Sequence, residues 1–174
     1  NNKDILMADL TKEQHIENIN KVIKGVKYAM MTTITADEKH LHACPMTTNK
    51  NELENGKIWF IGDRKSETIK DLEKNPQVNL SYTSSDQKDF VSINGTAKLV
   101  NDKAKLDELW SPIYAAFYEK GKEDPNVQVI CIECNGAQYW LSGNTVVDMF
   151  KMVSAAVQEG KTAENMGENH AVTF

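Results

Sequence analysis

Apolar and polar residues alternate in short stretches along most of this chain, a pattern that predicts β-strands separated by polar turns. The predicted strands cover residues 28–35, 41–48, 57–61, 78–83, 90–100, 127–133 and 137–141. The last two flank Asn135-Gly136, a pair typical of tight hairpin turns, so we expect them to form a hairpin. Residues 171–174 can add a final edge strand. Short strands with turns at close intervals predict an antiparallel sheet or barrel.

Helical periodicity replaces the strand pattern in segments that have their own start and stop signals. The predicted N-caps are Thr11, Ser66, Asp102 and Asn144, and the predicted stops are Gly25, Asn75-Pro76, Pro112 and Gly160. Thr11 and Gln14 have the spacing of a capping box, and the helix after them should cover an open end of the barrel. The last helix places apolar side chains on one face between residues 146 and 157.

Length and composition indicate one globular domain over residues 1–174, with residues 1–10 as a flexible N-terminal segment. Hydrophobic residues make up 40% and charged residues 26%, and no apolar run is long enough to cross a membrane. The N-terminal residues lack the pattern of a secretory signal. Three cysteines, an odd number, fit a reducing compartment. We therefore expect a cytoplasmic protein without a membrane role.

Charge and motif content exclude several function classes. The net charge is −5 and no basic stripe is present, which argues against nucleic-acid binding. Cys131 and Cys134 are three apart in a predicted strand and so point to opposite faces, which disfavours a zinc or redox site. The four histidines are scattered, so no metal site is predicted. Hydrolase, Rossmann and NTPase motifs are absent from the sequence.

Residues 59–82 read WFIGDRKSETIKDLEKNPQVNLSY and combine a strand, a polar turn, a short helix and a second strand. The N-terminus of a helix presents unpaired N–H groups and a partial positive charge, which suit a phosphate. From these residues alone, Ser66 has two interpretations: a phosphate ligand or a plain helix cap.

The order of these segments resembles the pyridoxamine 5'-phosphate oxidase-like, FMN-binding split β-barrel family, and most closely its general stress protein branch. Further matching segments are YAMMTTIT at 28–35, Cys44-Pro45-Met46, VSINGTAKLV at 91–100, GKEDP at 121–125, QYW at 138–140 and the tail GENHAVTF. The likeness covers residues 11–174. It implies a mainly β (α+β) split barrel of antiparallel strands with peripheral helices, assembled as a homodimer that binds a small molecule, FMN, at its interface.

Carried over position by position, the resemblance implies a cofactor site. Its residues would be Cys44, Pro45, Met46, Thr47, Asn49, Ile61, Gly62, Ser66, Thr68, Phe90, Ser92 and Trp140. Thr47, Ile61 and Gly62 would lie against the flavin, and Trp140 would reach it from the partner subunit. Trp110, Phe117 and Tyr118 form either a substrate-side wall or ordinary core.

The chain departs from the family at positions that hold the phosphate. A family arginine falls on Cys44, a second cation on Asn49 and a lysine on Thr68, whereas the serine is retained as Ser66. Losing cations removes charge-assisted hydrogen bonds to a dianion, so FMN affinity should fall unless Arg64, Lys65 or backbone N–H groups compensate.

Two functions follow from the resemblance. One is an FMN-dependent oxidoreductase-like general stress protein, for which no general acid or base can be named and the catalytic residues are unknown. The other is a non-catalytic protein on the same barrel that binds a flavin or another flat ligand. Oxidation of pyridoxamine 5'-phosphate itself is disfavoured, because basic residues that hold its phosphate are absent after Trp140.

Overall fold

A computed structural model describes residues 10–47, 50, 52–142 and 168–174 of the chain. The predicted flexible segment 1–10 lies outside the described residues except for Leu10, and so does the predicted helix over 146–157.

The described chain contains seven strands and three α-helices, with two short 3₁₀ segments between the last helix and the longest strand. In chain order these are α1 (Lys12–Ile23), β1 (Tyr28–Ile34), β2 (Leu41–Thr47), β3 (Lys57–Asp63), α2 (Glu67–Lys74), β4 (Gln77–Thr83), β5 (Phe90–Val100), α3 (Lys103–Leu109), the 3₁₀ segments Pro112–Ala116 and Gly121–Glu123, β6 (Val127–Leu141) and β7 (Glu168–Thr173). No helix in the described part of the chain is long and apolar enough to cross a membrane.

Side-chain caps begin the three α-helices where the sequence predicts them. Thr11 and Gln14 form a reciprocal capping box, with each side chain accepting a hydrogen bond from the other residue's backbone N–H. Ser66 Oγ accepts from the N–H of Ile69 at the start of α2, and Asp102 caps α3 through Lys105.

The strands form one antiparallel sheet in the order β2-β1-β4-β5-β6-β3, and β7 also pairs with β6. β2 and β3 therefore lie at opposite ends of the hydrogen-bonded order. They nevertheless contact each other, although no backbone ladder joins them among the described residues. The sheet thus curves back on itself and remains open along one line, as expected for a split barrel. We call this line, where β2 faces β3 and α2, the seam.

The predicted hairpin at Asn135-Gly136 is wrong, because β6 continues straight through both residues. On one edge, β6 pairs with β3 before this point and with β7 after it. On its other edge, β6 pairs with β5 on both sides of this point. The register against β5 shifts between Asn94 and Gly95, so that Asn135 is an extra residue in a β-bulge. The predicted strand at the C-terminus is confirmed as β7.

Two hydrophobic clusters pack on the two faces of this sheet. The inner cluster includes Ile58 and Phe60 of β3, together with buried residues of α1, α2 and the other strands. The outer cluster contains Ile61 of β3, Val129 of β6 and side chains from α3 and the 3₁₀ segment. Because successive strand residues point to opposite faces, β3 contributes to both clusters. This packing holds the start of α2 beside β2.

Candidate functional site

Alternate residues of β2 point across the seam, and each meets a residue of the segment β3–α2. His42 Nδ1 lies 3.0 Å from Asp71 Oδ2, and Cys44 Sγ lies 3.0 Å from Thr68 Oγ1. The methyl group of Met46 lies 3.8 Å from where a Cβ on Gly62 would stand. At the seam, side-chain contacts hold β2 against its neighbours, whereas backbone hydrogen bonds join neighbouring strands elsewhere in the sheet.

A cavity of about 450 Å³ opens at the end of the seam that holds Cys44, Met46 and Gly62. Its lining comes from β2, from the end of β3, from the start of α2 and from the aromatic segment after α3. The lining residues are Tyr28, Cys44, Pro45, Met46, Thr47, Ile61, Gly62, Asp63, Ser66, Thr68, Ile69, Tyr114, Phe117, Tyr118 and Ile130. A ligand here would contact three stretches of sequence that are far apart along the chain.

Most of the predicted cofactor residues meet in this cavity. They are Cys44, Pro45, Met46, Thr47, Ile61, Gly62, Ser66 and Thr68. Phe90, Ser92 and Trp140 do not line it within one protomer. Phe90 pairs directly with Trp140 on the β5–β6 ladder, on the outer face of the sheet. Asn49, the remaining predicted residue, lies outside the described residues.

The start of α2 presents hydrogen-bond donors beside the cavity. Ser66 Oγ accepts from Ile69, which leaves its own hydroxyl proton available to a ligand. The N–H groups of Glu67 and Thr68 have no acceptor among the described residues. Ser66 therefore is a helix cap, as one interpretation of the sequence held, and the same geometry leaves donors free for a bound group.

Aspartate is the single charged residue type among the described residues that line the cavity. Asp63 Oδ1 accepts a hydrogen bond from the N–H of Lys65, which fixes the polar turn after β3. Arg64 and Lys65 are exposed and are not part of the lining. The cavity wall is accordingly built from apolar, aromatic and hydroxyl groups.

Aromatic side chains form the wall opposite β2. The Tyr114 hydroxyl donates to the backbone carbonyl of Thr47, which ties the 3₁₀ segment to the edge strand. Burial, with Asp63 adding to it, raises the pKa of Tyr118 to about 12, so this phenol stays protonated at neutral pH. Phe117 is 73% exposed at the rim.

Of the aromatic residues considered from sequence, Phe117 and Tyr118 line the cavity. Trp110 stands behind the wall, with its ring centroid 5.6 Å from that of Tyr114. Tyr28 and Tyr114 were not identified from the sequence. The i, i+4 spacing of Tyr114 and Tyr118 was the available signal for the latter.

Asp71 is a second residue that sequence reasoning missed. It is 3% exposed and accepts hydrogen bonds from the hydroxyl of Thr33, the N–H of Ala36 and the ring of His42. Burial would raise the pKa of this carboxyl, but the hydrogen bonds outweigh it and hold the pKa below its usual value. Asp71 thereby fastens α2 to β1 and β2, and so fixes one side of the cavity.

The Cys-x-x-Cys pair lies in β6, and both thiols are free. Cys134 packs in the inner cluster, whereas Cys131 pairs with Trp59 on the other face, as the strand pattern predicts. The described residues hold no group of three or more potential metal ligands.

Comparisons with known proteins agree with this architecture. The profile of the family described as "Pyridoxamine 5'-phosphate oxidase like" matches residues 14–163. Protein bli-3 of Neurospora crassa is 26% identical over 166 residues, which cover 91% of this chain and 79% of that protein.

Two solved structures are similar to this chain in fold. The general stress FMN/FAD binding protein of Xanthomonas citri is 32% identical, with a TM-score of 0.65 over 77% of this chain and 92% of that one. General Stress Protein 26 of Bacillus anthracis has a TM-score of 0.62 at 24% identity, over 72% and 92% of the two chains, and supports the fold. The match to the family profile over most of the sequence, on a split barrel with its cavity at the seam, means that this chain belongs to the pyridoxamine 5'-phosphate oxidase-like family.

Proposed function

We propose that this protein is a flavin-binding, oxidoreductase-like general stress protein, and that the flavin lies in the cavity at the seam. One observation carries the proposal. The cavity gathers residues 44–47, 61–62, 66 and 68, which come from three of the separate stretches that the family resemblance assigned to the cofactor. FMN is the form of flavin that the resemblance implies. The name of the relative from Xanthomonas citri, an FMN/FAD binding protein, supports a flavin more generally.

The lining suits a flat ring. A Cβ on Gly62 would stand 3.0 Å from Ile130 Cδ1 and 3.8 Å from the methyl group of Met46, so a glycine here lets apolar lining side chains pack closely against the end of β3. Tyr28 and Phe117 offer aromatic surfaces at the mouth, 50% and 73% exposed, against which a ring can stack. Ser66 and Thr68 line the same cavity and would offer hydroxyl groups to the polyol chain of a bound flavin.

A bound flavin supplies the electron or hydride transfer itself, and the protein supplies orientation and shelter from water. The Tyr118 phenol, which keeps its proton well above neutral pH, is available as a hydrogen-bond donor to a ring oxygen or nitrogen. The described lining offers no histidine and no buried carboxylate for proton transfer. Any turnover would therefore rely on the chemistry of the flavin and its redox partner.

The second candidate is a protein on the same barrel that binds a flavin or another flat ligand without turnover. The lack of lysine and arginine among the described lining residues favours it. Flavin-loaded protein distinguishes the two: an oxidoreductase accelerates reduction of its flavin by a nicotinamide donor over the rate for free flavin, whereas a simple binding protein does not. A cytoplasmic location accompanies both candidates as a prediction.

We also propose a homodimer, assembled through the outer face of the sheet. Tyr28, Met30 and Phe90 are 50%, 41% and 43% exposed on this face, and Trp140 lies beside Phe90. Apolar side chains grouped on one face indicate an interaction surface. A second copy on this face would bring Phe90, Ser92 and Trp140 towards the partner's cavity, whose mouth includes Tyr28. Sedimentation as a monomer at micromolar concentration would contradict this arrangement.

The test of flavin binding is the visible absorption spectrum of the purified protein before and after incubation with FMN or riboflavin. We expect flavin bands that stay with the protein through gel filtration. Gly62→Ala should reduce this retention, because its methyl group enters the cavity wall. Gly25→Ala is the matched control, since its methyl group would make only an ordinary contact at 3.7 Å, far from the cavity. Loss of binding in both variants, or no flavin bands in the parent protein, would reject the site.

A further inference from the structure

At the corner of the cavity beside α2, two side chains that are not cationic contact each other. Cys44 Sγ and Thr68 Oγ1 lie 3.0 Å apart across the seam, and Thr68 is only 5% exposed. These are two of the positions at which the resemblance placed cations for a phosphate. Their side chains satisfy each other, and neither is a cationic residue type.

Charges elsewhere around the cavity do not replace these cations. Asp63 is the charged member of the described lining, and it is negative. Arg64 and Lys65 are exposed to solvent outside the lining, where screening weakens their effect. Lys27 lies over the ring of Tyr28. Tyr28 pairs with Thr47, which is three residues beyond Cys44 on β2. Of the residues that follow β2 in sequence, Thr48, Asn49 and Asn51 are uncharged types, and Lys50 pairs with Glu54 and Glu108.

The remaining groups at this corner are the Ser66 hydroxyl and the free N–H groups of Glu67 and Thr68. These donors at a helix start can face an anion or a neutral oxygen, but they carry no full positive charge. A phosphate dianion needs charge-assisted partners to offset the loss of its hydration. Asp63 on the same lining opposes a second negative charge. The residues therefore fit the ring and hydroxyl chain of a flavin and do not fit its terminal phosphate.

Resting on the proposed function, we infer that the cavity selects a flavin by its ring and ribityl chain, so that riboflavin binds about as tightly as FMN. The ligand class is then a non-phosphorylated flavin or an FMN whose phosphate extends into solvent. Both share the neutral ring and polyol chain. This property distinguishes the chain from what the family resemblance implies.

The experiment is a titration of the purified full chain with riboflavin and with FMN, followed by quenching of flavin fluorescence, at low and at high salt. We expect dissociation constants that differ by less than about tenfold and an FMN affinity that changes little with salt. FMN bound about tenfold or more tightly than riboflavin, with a preference that shrinks at high salt, would overturn the inference while leaving flavin binding intact. If neither ligand binds, the proposed function fails and the inference fails with it.

Asp63→Asn gives an independent readout. Asparagine can still accept the hydrogen bond from Lys65, so the turn should be retained while one negative charge is removed. We expect riboflavin affinity to stay the same and FMN affinity to rise by no more than a few-fold. Asp102→Asn is the control, because it removes the same charge and keeps a helix cap at the start of α3, away from this cavity. A rise of about tenfold or more for FMN alone in Asp63→Asn would show that the phosphate is held against this corner, contrary to the inference.

Discussion

The seam and the β5–β6 ladder join neighbouring strands in different ways. Along the ladder, backbone pairing runs from Phe90 to Val100 and is interrupted only by one bulge. At the seam, β2 meets β3 and α2 through the side-chain pairs His42–Asp71 and Cys44–Thr68. Backbone pairing depends little on residue identity, whereas side-chain pairing depends on it entirely.

This difference explains why the cavity lies at the seam. A ladder leaves about 4.8 Å between strands and no room for a ligand. An unpaired edge leaves space, and the residues that border it can be replaced without breaking the sheet. We therefore expect substitutions that press on the ladder backbone, as at Gly95, to affect stability alone, and substitutions at the seam to affect stability or ligand choice according to the pair that they change.

The largest effect should come from Gly95→Ala, on the ladder. The new Cβ would stand 2.7 Å from the carbonyl oxygen of Glu133 and 2.7 Å from Ile132 Cγ2, which is closer than packing allows. We expect a loss of about 3 kcal/mol in the free energy of unfolding, measured by urea titration, because the β6 backbone must move. Gly25→Ala should change it by less than about 0.5 kcal/mol. Equal effects of the two changes would refute the packing argument.

Asp71→Asn tests the seam. Removing the charge weakens hydrogen bonds from Thr33, Ala36 and His42, and we expect a cost of about 2 kcal/mol at neutral pH. Since the pKa of Asp71 is lowered in the folded state, its contribution is present above the ordinary carboxyl pKa of about 4 and is lost as the pH falls below it.

The pH dependence provides the control for this variant. Urea titrations at several pH values should show the parent protein losing part of its stability on acidification, and Asp71→Asn losing less. A variant whose stability falls with pH as steeply as that of the parent would mean that Asp71 is not the group responsible.

Thr68→Lys should change ligand choice at the seam. If the new ammonium group passes Cys44 and reaches the end of the flavin chain, FMN should bind more tightly by about 1–3 kcal/mol, with riboflavin unchanged. Gln77→Lys adds the same charge at an exposed position beyond the far end of α2 and should leave both affinities as they are. Fluorescence titration measures all of these affinities.

Ser66→Asp is the opposite change at the same corner. With the FMN phosphate in solvent, a carboxylate at position 66 should weaken FMN and riboflavin by similar factors, while aspartate can still cap α2. A much larger loss for FMN than for riboflavin in Ser66→Asp would mean that the start of α2 contacts the phosphate, contrary to a phosphate in solvent, whereas equal losses would leave Ser66 as a helix cap.

The smallest effect on stability is expected in the inner hydrophobic cluster, at Tyr82. The Tyr82 hydroxyl is the one buried side-chain oxygen or nitrogen among the described residues that has no hydrogen-bond partner, and burial raises its pKa. Tyr82→Phe should therefore be neutral or stabilise the fold by up to about 1 kcal/mol. Tyr139→Phe, which removes a hydroxyl 2.8 Å from His15 Nδ1, should instead cost about 1 kcal/mol. Thermal unfolding of both variants checks the difference in sign.

Local sequence determined where most elements begin and end. The caps at Thr11, Ser66 and Asp102 were predictable because each side chain bonds to a backbone group two or three residues away. The strands were predictable because alternation of polar and apolar residues follows directly from the geometry of a strand. The family resemblance then identified, among others, residues 44–47, 61–62, 66 and 68, which the fold brings together.

Only the tertiary structure decided the rest, because those features depend on neighbours far away in sequence. Asn135-Gly136 has the local signal of a turn, but pairing with β5 on one side and with β3 and β7 on the other keeps β6 extended. Asp71 looks like a solvated helix residue until β1 and β2 enclose it. The Cys44–Thr68 contact arises because the open seam brings an edge strand against a helix start. No local pattern in the sequence predicts this contact.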